Sequence, residues 1–466
     1  MDVLEFAELV IENLPYSPTD QQVEVIAALS RFCSKHTPSD TAFLLNGYAG
    51  TGKTSLCSAL VKSLNTVGIG TVLLAPTGRA AKVFSGFASH PAYTIHRRIY
   101  AVSGNGMNSP RSLSIASNRS HNTVFIVDEA SMIGNASESG YLLEDLIHYV
   151  YSGINCRLIL IGDTAQLPPV GCAESPAMSV KELKSMGLRI SKAVLTATVR
   201  QASDSGILYN ATRLRRAMRL PELPTPSLTV SPFSDMIPIS GEELEDSMSA
   251  SYNNDGIRET ILITRSNMRA TKFNLEIRYR ILSCEEELNG EELLLVAKNN
   301  YYWTKEIKGL DFIANGDTVI IEKIHATETK YGLRFADVKL RLVDRDFTID
   351  CKIMLDTLGS NDATLSREKM LELYEKIVLE GTDPGQPMNL RSEQALRDPY
   401  FNALQVKYAY AMTCHKAQGG QWKNVFIDLG YIPPEAMGSE FYRWLYTAIT
   451  RATTKIFLIN PTLSLK

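Results

Sequence analysis

The sequence predicts an α/β protein with two parallel-sheet domains, the second of them split by a small β-barrel. Three observations carry that prediction. Short continuous Val/Ile/Leu runs alternate with helical patterns over the first two hundred residues. A second pattern of the same kind begins after a Pro-rich break, and a stretch alternating with period two divides it.

In the first domain the runs "AFLLNG" (42–47), "TVLLAP" (71–76), "TVFIVDE" (123–129) and "CRLILIGD" (156–163) read as buried strands. Unbroken apolar runs of this length suit a parallel sheet covered on both faces. Between them, "SLCSALVKSLNTVG" and "YLLEDLIHYVYSG" carry apolar residues at helical spacing, with Gly68 and Gly153 placed to end the helices. Residues 100–122, rich in Ser, Asn, Gly and Arg, read as a long loop or small inserted subdomain within a first domain of residues 1–200. "RLPELPTPSLTVSPF" (219–233) marks a linker or crossover. The second domain begins with "TILITRSN" (260–267) inside residues 201–299. It resumes inside residues 402–466 with "NVFIDLG", "FYRWLYTAITRAT" and "KIFLIN". Between these parts, in residues 300–401, "NGDTVIIEKIHATETKYGLRFADVKLRLVDRDFTIDCKIML" predicts an antiparallel barrel.

Composition narrows the function classes. The 466 residues are 44% hydrophobic and 21% charged, as in water-soluble multidomain proteins, and no apolar run is long enough for a membrane span. The acidic, amphipathic start "MDVLEFAELVIEN" does not resemble a signal peptide, so a cytoplasmic location is expected. A formal net charge of −3 provides no global basic field, and a polyanion would need a local groove. Seven scattered cysteines without a C-x-x-C pair argue against structural zinc and against a disulfide framework.

The chemistry begins at "GYAGTGKT" (Gly47–Thr54), which follows one predicted strand and opens a predicted helix. It fits G-x-x-x-x-G-K-[ST], the phosphate-binding loop. Gly47, Ala49, Gly50, Thr51, Gly52 and the helix-opening Lys53, Thr54 and Ser55 offer backbone N–H groups to phosphate oxygens. Lys53 would reach the β and γ phosphates, and Thr54 would give its hydroxyl to Mg²⁺. "FIVDEAS" then delivers Asp128 and Glu129 at the carboxyl end of a strand, where open α/β sheets bind ligands. Asp128 would hold the magnesium shell. Glu129 would orient or deprotonate an attacking water, which favours hydrolysis over binding alone. Gln166 in "GDTAQLPPV" could hydrogen-bond the γ-phosphate or its water. Together these stretches predict a magnesium-dependent nucleotide hydrolase.

With "GYAGTGKT", "APTGRAA", "TIH", "VDEAS", "GDTAQLPPV", "TVRQ", "TCHKAQG" and "YTAITRA" in this order, the chain resembles superfamily 1 DNA helicases, most of all the RecD/Dda/Pif-like branch. The resemblance spans Gln22 to Arg451. It implies two RecA-like P-loop domains clamping ATP between them, a small subdomain 1B at about residues 100–122 and an SH3-like β-barrel 2B. Its activity would be ATP-driven 5′→3′ movement on single-stranded DNA, with tailed or forked duplexes as substrates and a monomer as the working unit. By the same resemblance Gln22, or the adjacent Gln21, would recognise adenine, and Arg200 and Arg451 would approach the γ-phosphate from the second domain's side. Pro76, Thr77, Arg79, Thr94, His96, Thr413, His415 and Lys416 would touch the DNA backbone. Gln418 and Gly419 would face the γ-phosphate, the glycine because only a residue without a side chain lets the backbone come so close.

In relatives an aromatic or extended hairpin of subdomain 1B can serve as a wedge, yet residues 101–122 contain no Phe, Tyr or Trp. Strand separation would therefore use an aliphatic or polar tip, or translocation would dominate. An RNA-directed ATPase of the same superfamily and an ATP-switched binding module remain the alternatives at sequence level.

Overall fold

The computed structural model describes residues 2–103, 112–134, 141–198, 205–305, 307, 310, 312–343 and 347–466. In the first domain the strands are β1 (Thr41–Gly47), β2 (Gly70–Ala75), β3 (Ala92–Thr94), β4 (Tyr100–Ser103), β5 (Ser112–Ile115), β6 (Thr123–Val127), β7 (Arg157–Gly162) and β8 (Arg189–Leu195). Six of them form an all-parallel sheet in the order β3-β2-β6-β7-β1-β8. Every residue of β1, β6 and β7 is buried, as their unbroken apolar runs require when helices cover both faces. One face packs on Phe6, Ile26, Leu29, Leu56, Leu60 and Phe84, the other on Ile95, Leu143, Leu146 and Val150. Gly68, at φ +72°, stands just beyond the C-cap of helix Lys53–Thr66, whereas Gly153 caps helix Leu142–Ser152 in an extended conformation. Within 100–122 the chain makes an antiparallel hairpin, β4–β5, with Tyr100 opposite Ile115. Residues 104–111, between its strands, lie outside the described residues.

The second domain contributes β9 (Ser227–Leu228), β10 (Met236–Ile239), β11 (Thr260–Thr264), β12 (Leu293–Val296), β13 (Thr318–Lys330), β14 (Leu333–Leu342), β15 (Phe347–Met354), β16 (Leu404–Tyr408), β17 (Ala411–Thr413), β18 (Trp422–Asp428), β19 (Ala452–Ile459) and β20 (Ser464–Leu465). A parallel sheet of order β10-β19-β18-β11-β17 forms its body, and β9 pairs with β20 beside it. The inserted barrel closes as β12-β13-β14-β15-β16. Its long β13–β14 hairpin turns on Tyr331 and Gly332, both at positive φ, as a two-residue turn matched to strand twist requires. The barrel reaches beyond residues 300–401. It takes β12 from the chain before that range and β16 from the chain after it, because closure needs the antiparallel β12–β16 pair and a short parallel β15–β16 contact. Helices Arg367–Glu380 and Met388–Leu396 sit between β15 and β16, burying Leu373, Ile377 and Ala395 against Phe335 and Met354. The barrel core runs continuously into the second sheet through Leu262, Ala411 and Phe426.

Candidate functional site

The nucleotide side is built at the carboxyl ends of β1, β6 and β7. After β1 the loop Gly47–Gly52 curls with Gly50 at φ +75° and Gly52 at φ +78°, conformations that carry a steric cost for any residue with a Cβ. A Cβ on Gly47 would sit 2.6 Å from the Lys53 stem. Lys53 Nζ donates to Gly47 O and, at 3.0 Å, to Tyr48 O, which holds the ammonium across the loop. Gln22, 1% exposed, completes a capping box with Thr19 and donates to Thr51 O at 3.2 Å and to Tyr16 Oη at 3.3 Å. It braces the phosphate loop. Gln21 instead accepts from Thr196 N and Ala197 N at 2.7 and 2.9 Å. Both candidate adenine ligands are thus engaged with backbone.

Asp128 and Glu129 leave β6 together. Glu129 sits at φ 51°, ψ 35°, a left-handed conformation costing on the order of 1–2 kcal/mol for a residue with a side chain, and such strain concentrates at functional sites. Burial and the Glu129 charge push the Asp128 carboxyl above the usual carboxylate range, while its bond from Glu129 N and the Lys53 charge oppose this. Gln166, 5% exposed, holds a buried Oε1 without a hydrogen-bond partner among the described residues. The donor set that the sequence suggests for a cation would be a threonine hydroxyl (Thr54) and one carboxylate (Asp128). Hard oxygen donors of this kind, with no cluster of three His, Cys, Asp or Glu among the described residues, fit Mg²⁺, which takes most of its shell from phosphate and water.

The second domain closes on this surface. Arg451, 4% exposed, is held by Thr447 O (3.1 Å) and Gly420 O (3.3 Å) and brings Nη1 to 3.9 Å from Glu129 Oε1. Tyr446 donates its hydroxyl to Asp163 Oδ2 at 2.6 Å and accepts from Ala49 N of the phosphate loop at 2.9 Å. Thr447 Oγ1 accepts from Leu167 N at 2.9 Å, and Gln418 Nε2 donates to Leu167 O at 2.7 Å. Tyr48, Ala165 and Leu167 of the first domain are buried in the second domain's core. Arg200 lies outside the described residues.

The candidate track residues fall into two groups. On the first domain, Thr77 and Thr94 cap helices, accepting from Ala80 N (3.2 Å) and Arg97 N (3.3 Å), and Pro76 precedes that first cap. Arg79 stacks on Trp422 of the second domain, 3.7 Å from the ring centroid. His96 is packed near Tyr100 and Phe312, and burial lowers its pKa, favouring the neutral ring. On the second domain, Thr413 ends β17 and His415 and Lys416 follow it; burial lowers the pKa of both His415 and Lys416. Gly419 makes a close approach to the first domain. At φ +72° its missing Cβ would lie 2.9 Å from Ala80 Cβ and 3.3 Å from Thr77 Oγ1, so its close approach is to the first-domain helix cap. Sequence reasoning assigned no role to Asp163 or Tyr446, although both stand inside quoted motifs. It also passed over Trp422 and Lys407, which no motif marks.

This geometry is that of a P-loop ATPase with two RecA-like domains and a barrel in the second. Residues 20–220 match the family described as an AAA domain, and residues 408–459 match the UvrD-like helicase C-terminal domain. These two matches, together with the relatives below, support a RecD/Dda/Pif-like helicase of superfamily 1. It is 26% identical over 443 residues to the ATP-dependent DNA helicase dda of Enterobacteria phage T4, covering 89% of this chain and 93% of that protein. Over 128 residues it is 34% identical to the ATP-dependent RecD2 DNA helicase of Deinococcus radiodurans; the match takes in 27% of this chain and 16% of that protein. A solved Pif1 helicase from Bacteroides, in complex with ADP-AlF3 and ssDNA, aligns over 96% of this chain and 94% of that chain, at 14% identity and a TM-score of 0.46. Among the described residues no helix is long and apolar enough to cross a membrane.

Proposed function

We propose that the chain is an ATP-driven DNA helicase that moves 5′→3′ on single-stranded DNA as a monomer, with Mg²⁺ as its metal. The observation that carries this reading is the Glu129–Arg451 approach of 3.9 Å between domains. A carboxylate suited to activate water faces a guanidinium suited to γ-phosphate charge, so hydrolysis and domain closure act at one place. Lys53 and the loop amides bind the triphosphate, and Thr54 with Asp128 holds the metal, which offsets phosphate charge. Glu129 orients the water, and the unpartnered Gln166 Oε1 is available to accept one of its hydrogens. Arg451, with Arg200 from the "TVRQ" motif, stabilises the transferring group. Pro76, Thr77, Arg79, Thr94, His96, Thr413, His415 and Lys416 supply backbone contacts that carry no sequence information.

A tailed-duplex assay tests this. Unwinding from a 5′ tail with ATP and Mg²⁺ is expected, and Glu129→Gln should lose about 10² or more in turnover while still binding nucleotide. Unwinding only from a 3′ tail overturns the polarity, and undiminished turnover in Glu129→Gln overturns the catalytic assignment.

A further inference from the structure

Beside the predicted track, the second domain holds a charge that the nucleotide reaction does not use. Lys407 stands on β16, where the strand pattern "LQVKY" is buried throughout. The side chain is only 9% exposed, and its single hydrogen bond among the described residues runs from Nζ to Ser360 O at 2.6 Å. It makes no ion pair there. It lines a narrow pocket with Asn267, Thr271, Ser360, Thr413 and Lys416. Lys416, half-buried, has neither a hydrogen bond nor an ion pair among the described residues, and Thr413 does not spend its hydroxyl as a helix cap. Thr264 and Thr413 are register partners on adjacent parallel strands, so the pocket opens at the carboxyl edge of the second sheet, next to the start of helix Asn267–Glu276.

Two ammonium groups sharing a desolvated pocket without a carboxylate bonded to either is an unfavourable arrangement. Burying an ion uncompensated costs several kcal/mol, and the two charges repel. An anion between them removes both penalties. We propose that Lys407 and Lys416 form a two-cation slot, with Thr413 and Asn267 as neutral partners, that takes one phosphate group of the nucleic-acid backbone. The slot rests on the reading of Thr413–Lys416 as part of the DNA track and adds Lys407, at the junction with the barrel, to that track. Burial and the Lys416 charge push the Lys407 ammonium down to about 8, with Asp362 opposing weakly. Lys416 is lowered by burial as well. Tyr408, the other titratable group lining the pocket, is neutral at physiological pH and donates its hydroxyl to Glu287 O. A bound phosphate would restore the affinity of Lys407 for its proton, so strand affinity should fall as pH rises above about 8.

The test measures binding of a labelled oligothymidylate to the full chain across a salt series, for wild type, Lys407→Met and Lys416→Ala. A cation that neutralises one phosphate of a single strand contributes about 0.7 to the slope of log K against log salt. Lys407→Met should therefore lower the slope by about 0.7 and weaken binding about fivefold at about 0.1 M salt. The fall in affinity above about pH 8 should disappear in this variant. Inorganic phosphate serves as a second probe, read by its shift of the unfolding temperature. If Lys416→Ala lowers the slope and Lys407→Met does not, the two-cation slot is wrong while the track stands. If wild type binds no strand, the functional reading itself fails. A Lys407-dependent response to inorganic phosphate, with an unchanged oligonucleotide slope, assigns the pocket to free phosphate and overturns the proposal.

Discussion

Replacing Lys407 by methionine should make the protein more stable at neutral pH, and the size of the effect follows from its surroundings. Methionine keeps most of the side chain's length and apolar stem but removes the charge. In the fold, the Lys407 pKa lies at about 8 against an ordinary 10.5. With about 1.4 kcal/mol per tenfold in proton affinity, keeping the folded-state ammonium charged at pH 7 costs about 3 kcal/mol. The variant also loses the bond to Ser360 O, worth about 1 kcal/mol. That carbonyl retains Thr271 Oγ1 at 3.1 Å, so it is not orphaned. The net expectation is a gain of about 1–2 kcal/mol, read as a rise of a few degrees in the unfolding midpoint. The pH dependence provides an internal control. A lysine whose pKa is depressed by folding binds its proton more weakly in the native state than in the unfolded one. The penalty is therefore complete below about pH 8 and fades as pH rises from there toward the unfolded value. Thermal unfolding of both proteins at pH 7 and at about pH 9.5 should show the gap narrowing at the higher value. A Lys407→Met protein less stable than wild type at pH 7, or a gap independent of pH, would refute the claim that an unfavourable buried cation is kept here.

Two other substitutions probe the contact between domains. Tyr446→Phe leaves Asp163 Oδ2 and Ala49 N without their shared hydroxyl; a loss of about 1–3 kcal/mol is expected in thermal unfolding, together with weaker strand-stimulated ATP turnover, and wild-type values for both would discard the link. Gly419→Ala forces a Cβ to 2.9 Å from Ala80 Cβ at φ +72°, and the strain of about 1–2 kcal/mol should lower strand-stimulated turnover more than basal turnover; equal reductions would show that this close approach is only structural.

How far the sequence could be read depended on how locally each feature is determined. Strands β1, β6, β7, β11 and β18, and the buried C-terminal halves of β2 and β19, were visible because burial on both faces writes a continuous apolar run. β8 was not: "RISKAVL" lies at the sheet edge with half-exposed positions, so neither a run nor a clean alternation survives. β3 and β17, three residues each, are too short to carry any period. The barrel's hairpins were legible from period two, whereas its closing strands were not, since β12 and β16 are defined by pairing across more than a hundred residues. The phosphate loop and Asp128–Glu129 are local motifs and were legible for that reason. The Tyr446–Asp163 bond joins positions 283 residues apart, and only folding reveals it. Lys407 left one usable sign, a lysine inside a strand otherwise suited to burial.

The segment Thr413–Gly420 shows how these distant contacts become one device. Thr413 and Lys416 line the slot at the sheet edge. Gln418 bonds Leu167 O, whose own N–H goes to Thr447, so both backbone groups of the residue after Gln166 are held by the second domain. Gly419 presses on the Thr77 cap and Ala80. Only one helical turn, Cys414–Ala417, lies between Thr413 and Gln418, a span of about 8 Å at 1.5 Å per residue. A piece that short has no room to absorb displacement at one end. Movement of the Gln166 loop, of the first-domain cap or of a phosphate in the slot must therefore be shared among all three. That sharing is the physical requirement for coupling the state of the nucleotide to the grip on a strand, and it predicts that Gln418→Ala, which frees Leu167 O, lowers strand-stimulated ATP turnover more than basal turnover.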